Sequence, residues 1–416
     1  MCWLAILAEG YDVGVLGAIL PALAEYREWN LTKVELGGLG SWALIGMMIG
    51  AMIIGTLSDK LGRKNMMLLS LAVFTLSQLG AGLAPTPEVF ALMRFVGGLG
   101  MGGIIPICAA MTIEYSPPEK RSMNYAIMYS GYSLGILVAA LAAYFFIAEL
   151  GWRWIVLFGF LPIVLLPILA LLVPESIEYL VHKGRIDEAR KQAEKLGISP
   201  FHLEDWQHEE EHVQEVGKGI MGTLFSPRLI LGTIGFWVAM FSGLLLVYGL
   251  NTWLPSIMRK AGYDLGPSLM FLVVFSLASA IGGLLLGWMA DRWGKKPILL
   301  AFYFIGALGI LSLMFKNTLL VNYLLISLAG VGSISTSLVL TGWVAEYYPR
   351  HIRAAATGWA LSFGRIGAIT GPIIGGWIAG AGLSFTWNFI IFAIVGGSAC
   401  LSVALIPGRK PVPDTV

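Results

Sequence analysis

Charged residues are scarce in this chain of 416 residues: they make up 12% of the sequence, whereas hydrophobic residues make up 57%. The mean hydropathy is +0.78. A soluble protein carries about 25% charged residues, so a chain this poor in charge cannot cover a water-exposed surface of its size. Its apolar runs have the length that crosses roughly 30 Å of hydrocarbon, which indicates a polytopic helical membrane protein.

Cysteine is nearly absent, and neither sign of charge dominates. Cys2, Cys108 and Cys400 lie in apolar runs, so we interpret them as small buried residues and not as disulfide or metal partners. A net charge of +2 carries no signature of nucleic-acid binding, and we expect no nucleic-acid partner.

A single short pattern suggests metal chemistry. Residues 208–212 match H-E-x-x-H, the pattern of zinc metalloproteases. They lie in an acidic run of a polar segment, with no evident third ligand, so we interpret them as a solvated surface. The prediction is that the protein is not an enzyme and needs no metal and no cofactor.

Twelve apolar runs divide into two sets of six: 2–25, 34–56, 65–84, 90–113, 123–148, 154–173, 229–255, 267–290, 297–315, 320–345, 355–380 and 386–407. The polar segment between the sets includes an amphipathic stretch at 185–195. We predict an all-α membrane fold with an N-terminal six-helix bundle at 1–173 and a C-terminal six-helix bundle at 229–416. Residues 174–228 are predicted to form a cytosolic linker.

Basic residues in the loops indicate the orientation. With both termini inside, most of the 27 Lys and Arg residues fall in the inner loops and the tail. The outer loops would hold only Arg27, Lys33, Arg153, Arg259, Lys260 and Lys316. This bias predicts cytosolic termini. No cleavable signal is apparent before the first run, so we expect a retained helix whose cytosolic leader is short or missing from the sequence.

Two motifs occur twice, both with an offset of 232 residues. The pattern G-x-x-x-D-[KR]-x-G-[RK]-K occurs at 55–64 and 287–296, and E-Y-x-P-x-x-x-R occurs at 114–121 and 346–353. A constant offset for unrelated patterns indicates a duplicated unit. In so apolar a chain, it predicts two similar bundles of membrane helices, an architecture that moves substrates.

These motifs resemble those of the major facilitator superfamily over essentially the whole chain. Its cytosolic signature between helices 2 and 3 is met at 55–64, and a weaker copy between helices 8 and 9 is met at 287–296. Helix 4 carries R-x-x-G-G-x-G-x-G at 94–102, which is similar to the second motif of the superfamily. The resemblance implies a monomer in a bacterial inner membrane that works by alternating access.

A narrower resemblance points to the aromatic acid:proton symporters of that superfamily. Residues 9–12 read E-G-Y-D, similar to the D-G-[YF]-D motif of this family, with Glu9 in place of the usual Asp. Residues 248–255 and 363–367 also look like that family. The resemblance implies import of benzoate-like and hydroxybenzoate-like anions together with protons.

Four ionisable residues lie in the middle of the predicted helices: Glu9, Asp12, Arg94 and Arg365. A charge at bilayer depth costs at least about 2.5–3.5 kcal/mol, so each needs a partner or an aqueous cavity. Glu9 and Asp12 are three positions apart and share a helix face. Two close carboxylates resist ionising together, so one of them can hold a proton near neutral pH. We predict proton coupling through these acids with Arg94 as partner; the alternative is a static ion pair.

Arg365 has no counterpart in the first half, where the duplicated position is Ser133. A lone buried arginine needs an anion, and a substrate carboxylate would satisfy its two-pronged donor group. The alternative is a partner in the backbone or an acid of helix 1. Aromatic and polar residues that could line a cavity for an aromatic ring are Tyr248, Asn251 and Trp253, Trp359 and Phe363, and Tyr132 and Tyr144.

The repeated loop motifs are predicted to hold the cytosolic side shut through charge contacts. The residues concerned are Asp59, Arg63, Glu114 and Arg121 in the first half, and Asp291, Lys295, Glu346 and Arg353 in the second. Within each half we also expect the acid and the arginine of the second motif to contact each other: Glu114 with Arg121, and Glu346 with Arg353. The alternative is simple anchoring by basic residues on the inner side.

Other functions remain open from the sequence. Residues 174–176 look like part of a sugar-porter signature, but that signature is incomplete, so a sugar or polyol porter is the second choice. A drug:proton antiporter would carry G-x-x-x-G-P in helix 5, whereas this pattern occurs only at 367–372 in helix 11. Membrane enzymes and non-transporting receptors are less favoured.

Overall fold

The computed structural model describes residues 1–117, 120–195, 220–315, 317–348 and 350–408. Every regular element in these ranges is helical. The helices of the first half are α1 Cys2–Glu25, α2 Lys33–Leu61, α3 Arg63–Gly82, α4 Pro87–Met101, α5 Ile104–Glu114, α6 Arg121–Leu150, α7 Trp152–Phe158 and, after a 3-10 turn at Leu161–Val164, α8 Leu165–Leu172.

Three short helices follow: α9 Ile177–His182, α10 Ile186–Lys195 and α11 Ile220–Leu224. The second half contains α12 Ile230–Lys260, α13 Leu265–Trp293, α14 Lys295–Ser312, α15 Leu319–Gly330, a π-helical turn at Val331–Ser335, α16 Thr336–Tyr347, α17 Arg350–Gly380 and α18 Thr386–Leu405. The H-E-x-x-H match at 208–212 lies outside the described residues.

Eleven helical segments in the described residues are long and apolar enough to cross a membrane. They match eleven of the twelve predicted spans. The remaining span, predicted at 355–380, lies in α17, which has the length but is not among the eleven. Arg365 and several glycines lower the hydropathy of this helix.

Packing contacts divide the chain into two compact units that do not follow the two halves of the sequence. Unit 1 comprises Met1–Val13, Trp42–Gly135 and Arg153–Glu215; unit 2 comprises Gly14–Ser41, Ile136–Trp152 and Val216–Val416. Helices α1, α2 and α6 therefore contribute to both units. The division at residues 1–173, 174–228 and 229–416 concerns the sequence repeat and stays a prediction.

Glycines bring helix backbones together inside each unit. In unit 1, a methyl group on Gly50 of α2 would lie 2.1 Å from the carbonyl oxygen of Leu99. In unit 2, a methyl group on Gly367 of α17 would lie 2.0 Å from the carbonyl oxygen of Phe241 on α12. Small residues at such positions permit the close packing that holds membrane helices together.

The duplicated motif produces the same backbone break in both halves. Gly62 and Gly294 both adopt a left-handed conformation, with φ of 97° and 89°. Each ends one helix and begins the next. Side chains rarely adopt this conformation, which explains why both copies of the motif carry glycine here. The offset of 232 residues is thus visible in the backbone as well as in the sequence.

The predicted amphipathic helix at 185–195 is present as α10. Ala189 and Ala193, four positions apart, are buried against Ile177, Leu180 and Val181 of the linker. The linker therefore has a small apolar core of its own, which Tyr115 at the end of α5 also contacts.

Gly50→Ala is expected to lower the free energy of unfolding by roughly 1–3 kcal/mol, because the added methyl group has no room against α4. Gly38→Ala on the same helix is the matched control, since nothing lies within 4 Å of its added methyl group. Thermal unfolding of the purified protein in detergent measures both. Equal unfolding temperatures for the two variants would contradict the close helix contact.

Candidate functional site

Unit 1 holds a buried pair of opposite charges inside the membrane-spanning helices. Asp12 on α1 is 2% exposed and Arg94 on α4 is 4% exposed. Nη1 of Arg94 donates to Oδ1 of Asp12 at 2.6 Å and also approaches the Asp12 carbonyl oxygen at 3.3 Å. Glu9, three positions before Asp12 and fully buried, shares its helix face.

The position of Asp12 is set by its neighbours on α1. A methyl group on Gly10 would lie 2.1 Å from the carbonyl oxygen of Tyr132, and one on Gly135 would lie 2.1 Å from that of Leu7. The backbones of α1 and α6 are therefore in direct contact. The hydroxyl of Tyr11 donates to the Ile155 carbonyl oxygen at 2.7 Å, which fixes the rotation of α1 from another side.

The charge pair uses only part of its hydrogen-bonding capacity. Oδ2 of Asp12 and Nε of Arg94 are buried and have no hydrogen-bond partner among the described residues. The same is true of both amide atoms of Gln78 on α3, which is 1% exposed. Gln78 was not among the predicted site residues, because its amide is not ionisable. Its place inside an apolar run is nevertheless visible in the sequence. Such groups can hydrogen-bond to a water molecule or a ligand, and the Asp12 carboxylate can also take up a proton.

Unit 2 contains the aromatic and polar candidates of α12 and α17. Tyr248, Asn251 and Trp253 on α12 are all buried. The indole Nε1 of Trp253 donates to the Pro372 carbonyl oxygen at 2.8 Å, and Gly375 leaves room for the ring. This indole is therefore held in one orientation.

Trp359 and Phe363 on α17 form an aromatic stack with Trp237, a residue that was not singled out from the sequence. The rings of Trp237 and Phe363 are stacked with centroids 4.0 Å apart, and those of Trp237 and Trp359 are 6.0 Å apart. Trp359 is also 41% exposed. On α6, Tyr132 is buried in unit 1, whereas Tyr144 is exposed in unit 2.

Arg365 is half-buried on α17, whereas the sequence suggested full burial. It is two positions from Phe363, and residues two apart on a helix do not face each other. Arg365 and the Trp359–Trp237–Phe363 stack therefore lie on different sides of α17. The backbone of α17 is fixed between them by Gly364 and Gly367, which pack on α12.

A second charge cluster lies at the end of α5. Glu114 accepts hydrogen bonds from the Ser176 hydroxyl at 2.8 Å and from the backbone N–H groups of Ile177 and Glu178. Arg63 contacts Glu114 at 3.1 Å and Glu178 at 2.6 Å. The first copies of both repeated motifs therefore hold the start of the linker.

Glu175 and Tyr115 extend this cluster. Glu175 accepts from the backbone N–H of Lys64 at 2.9 Å, and the Tyr115 hydroxyl donates to the Glu175 carbonyl oxygen. Burial, together with the nearby Glu114 charge, raises the pKa of the Tyr115 hydroxyl, so it remains a donor at physiological pH.

Each acid of the E-Y-x-P-x-x-x-R pattern contacts a basic residue outside its own pattern, and the Glu114–Arg121 pairing stays a prediction. Glu114 binds Arg63, and Glu346 binds Lys295. Each acid thus reaches the basic residue of the other repeated motif, 51 positions away in both halves, because the fold brings these helix ends together. Arg353 and Asp291 are exposed. The side chains of Asp59 and Arg121 lie outside the described part of the chain.

Glu114→Ala is expected to speed hydrogen exchange of the Ile177 and Glu178 amides by roughly tenfold, because hydrogen bonds to charged groups are worth about 1.5–3 kcal/mol. Glu346→Ala, at the duplicated position, is the control, since Glu346 contacts Lys295 and is itself exposed. Hydrogen-exchange mass spectrometry of the detergent-solubilised protein measures both. Unchanged exchange at these two amides in Glu114→Ala would contradict a role for Glu114 in holding the linker.

Membrane-spanning helices with a buried charge pair, and repeated motifs at their ends, define a multi-pass membrane transporter. The chain belongs to the Major Facilitator Superfamily, whose family model matches residues 2–341 and 268–416. It is therefore a transporter and not an enzyme.

Curated relatives match over nearly the whole chain. A benzoate transport protein of Acinetobacter baylyi is 33% identical over 98% of this chain and 88% of the relative. A gentisate transporter of Corynebacterium glutamicum is 36% identical over 97% of this chain and 84% of the relative.

The fold also matches a solved structure. The inward-open conformation of the xylose transporter XylE from E. coli superposes with a TM-score of 0.78, covering 100% of this chain and 95% of that chain. The two sequences are 20% identical, so this likeness concerns the fold alone.

Proposed function

We propose that this transporter imports a small aromatic carboxylate together with protons by alternating access across a bacterial inner membrane. The observation that carries the proposal is the buried Asp12–Arg94 pair, in a chain similar to transporters of benzoate and gentisate. Both of these substrates are aromatic rings with a carboxylate. The carboxylate is the group that the guanidinium of Arg365 is suited to bind.

Proton coupling in this proposal resides in Asp12, with Glu9 and Arg94. Protonation of Asp12 removes the charge that Arg94 contacts, and the arginine then needs another acceptor because a lone charge inside the membrane is costly. Glu9, on the same helix face, is a nearby acceptor. A change of partner for Arg94 would couple protonation to a shift of α1 against α4.

Substrate binding in this proposal centres on Arg365, whose guanidinium can donate two hydrogen bonds to one carboxylate. The ring would contact aromatic residues, and each offset or edge-on contact adds roughly 0.5–1.5 kcal/mol beyond burial. Tyr248 and Trp253 on α12, which packs on α17, are the aromatic candidates, and Asn251 on the same helix is the polar one. Trp359 and Phe363 lie on a different side of α17 from Arg365.

The proposal places both termini in the cytosol, following the distribution of basic residues. It treats the chain as a monomer, as the family resemblance implies. The repeated motifs then lie on the cytosolic side. There the Arg63–Glu114 and Lys295–Glu346 contacts act as latches that bias the conformational equilibrium.

The test is initial uptake of radiolabelled benzoate into proteoliposomes with an acidic exterior. Benzoic acid crosses lipid on its own, so protein-free liposomes under the same gradient provide the baseline. We expect saturable uptake above this baseline that disappears when an ionophore dissipates the pH gradient. Xylose is the control substrate and should not be taken up. Uptake equal to the baseline would reject the proposed function.

A further inference from the structure

A cavity lies in unit 2, at the end of α1, the start of α2 and the end of α12. Its volume is about 330 Å³, within the range of roughly 300–1,000 Å³ typical of ligand pockets. In the proposed orientation these helix ends face outward. A methyl group on Gly17 of α1 would lie 2.0 Å from the Asn251 carbonyl oxygen on α12, so two walls of the cavity are in direct backbone contact.

Cations dominate the polar lining of this cavity. Lys33, Arg259 and Lys260 line it together with a single acid, Glu25. Oε1 of Glu25 contacts Nη2 of Arg259 at 2.7 Å, and this acid is itself 63% exposed at its side chain. The excess of positive charge fits an anion.

Arg259 is engaged on one side only. Its Nη1 is buried and has no hydrogen-bond partner among the described residues. Ser256 also lines the cavity, and its hydroxyl is likewise buried without a hydrogen-bond partner in the described part of the chain. An arginine with a free donor beside a free hydroxyl donor is suited to a carboxylate, which accepts several hydrogen bonds at once.

The remaining wall is apolar and partly aromatic. Trp253, Pro21 and Leu36 line the cavity, and the hydrogen bond from Trp253 to Pro372 fixes the indole. A fixed aromatic wall beside an anion-binding edge matches a flat ring that carries a carboxylate.

We propose that this cavity is an outer binding site that captures the aromatic carboxylate before it reaches the transport site. The carboxylate binds Arg259 and Ser256, the ring lies against Trp253, and Lys33 and Lys260 attract the anion. The inference rests on the proposed function, because it takes the same class of substrate.

The experiment measures the concentration dependence of radiolabelled benzoate uptake by the full chain in proteoliposomes. Arg259→Gln is expected to raise KM by about tenfold with Vmax nearly unchanged, as for the loss of one charge-assisted hydrogen bond. Arg27→Gln removes the same charge from an exposed position on the same side, outside the cavity, and should leave KM close to the wild-type value. Ser256→Ala, which keeps the ion pair, should raise KM in the same direction by a smaller factor.

Glu25→Gln separates anion binding from a purely structural ion pair. It breaks the contact with Arg259 but keeps the arginine, so KM should stay the same or fall. If Glu25→Gln raises KM as much as Arg259→Gln does, or if Arg259→Gln behaves like Arg27→Gln, the outer site is rejected. Failure of the proposed function is distinguishable, because wild-type uptake would then not exceed that of protein-free liposomes.

Acetate tests the aromatic wall in the same assay. It supplies the carboxylate without the ring, and we expect it to compete with benzoate far more weakly than 4-hydroxybenzoate does. Equal competition by acetate and 4-hydroxybenzoate would overturn the assignment of an aromatic carboxylate to this cavity.

Discussion

Asp12→Asn is expected to abolish benzoate accumulation driven by a pH gradient. An amide has nearly the shape of a carboxyl group and can still accept a hydrogen bond from Arg94, but it cannot take up and release a proton. Uptake into proteoliposomes should fall to the level of protein-free liposomes. Exchange of labelled for unlabelled benzoate without a gradient should persist, because exchange needs no net proton movement.

The matched control addresses stability. Removal of one partner from a buried ion pair costs about 3–5 kcal/mol, so Asp12→Asn alone is expected to unfold more easily. The double variant Asp12→Asn/Arg94→Gln removes both charges and should regain much of the lost thermal stability while remaining uncoupled. Gradient-driven accumulation at the wild-type level in the folded double variant would show that this pair does not handle the proton.

Arg365→Lys is expected to raise KM for benzoate by about tenfold, because lysine keeps the charge but cannot form the two parallel hydrogen bonds of a guanidinium. Arg365→Gln should have a larger effect, on the order of a hundredfold, given about 1.5–3 kcal/mol for a hydrogen bond to a charged group. Both values come from initial uptake rates at varied benzoate concentration.

Benzamide supplies a second readout for Arg365. It has the same ring without the charge, so the wild-type protein should bind benzoate much better than benzamide, and Arg365→Gln should lose most of this preference. Arg27→Lys, in an exposed loop, is the control for arginine replacement and should retain the preference for benzoate. An unchanged benzoate preference in Arg365→Gln would place the substrate carboxylate elsewhere.

Much of the fold follows from the sequence because hydrocarbon allows few solutions. Apolar runs of sufficient length must be helical, since no water is present to satisfy the backbone. The motif glycines Gly62 and Gly294 form the same break in both repeats, and Gly367 and Gly371, four positions apart, pack on α12. The compact units were not predictable, because the parts of α1, α2 and α6 that join unit 2 depend on contacts between residues distant in sequence.

The candidate site was predictable to the extent that charge is costly in a membrane. Asp12 and Arg94 could be singled out in the sequence because both interrupt apolar runs, and the structure brings them into contact. Gln78 and Trp237 were not predicted as site residues, because a neutral amide or a tryptophan in an apolar run carries no charge that would single it out. The contacts of Glu114 with Arg63 and of Glu346 with Lys295 were not predicted, since sequence proximity does not show which helix ends meet.

The central claim, proton-coupled import, is tested most directly by proton movement driven by substrate. Proteoliposomes with equal internal and external pH receive an inward gradient of benzoate, and a pH dye reports the external medium, with protein-free liposomes subtracted for passive entry of benzoic acid. We expect transient external alkalinisation by the wild-type protein and none by Asp12→Asn/Arg94→Gln. Saturable benzoate entry by the wild-type protein without any proton movement above the protein-free baseline would contradict it.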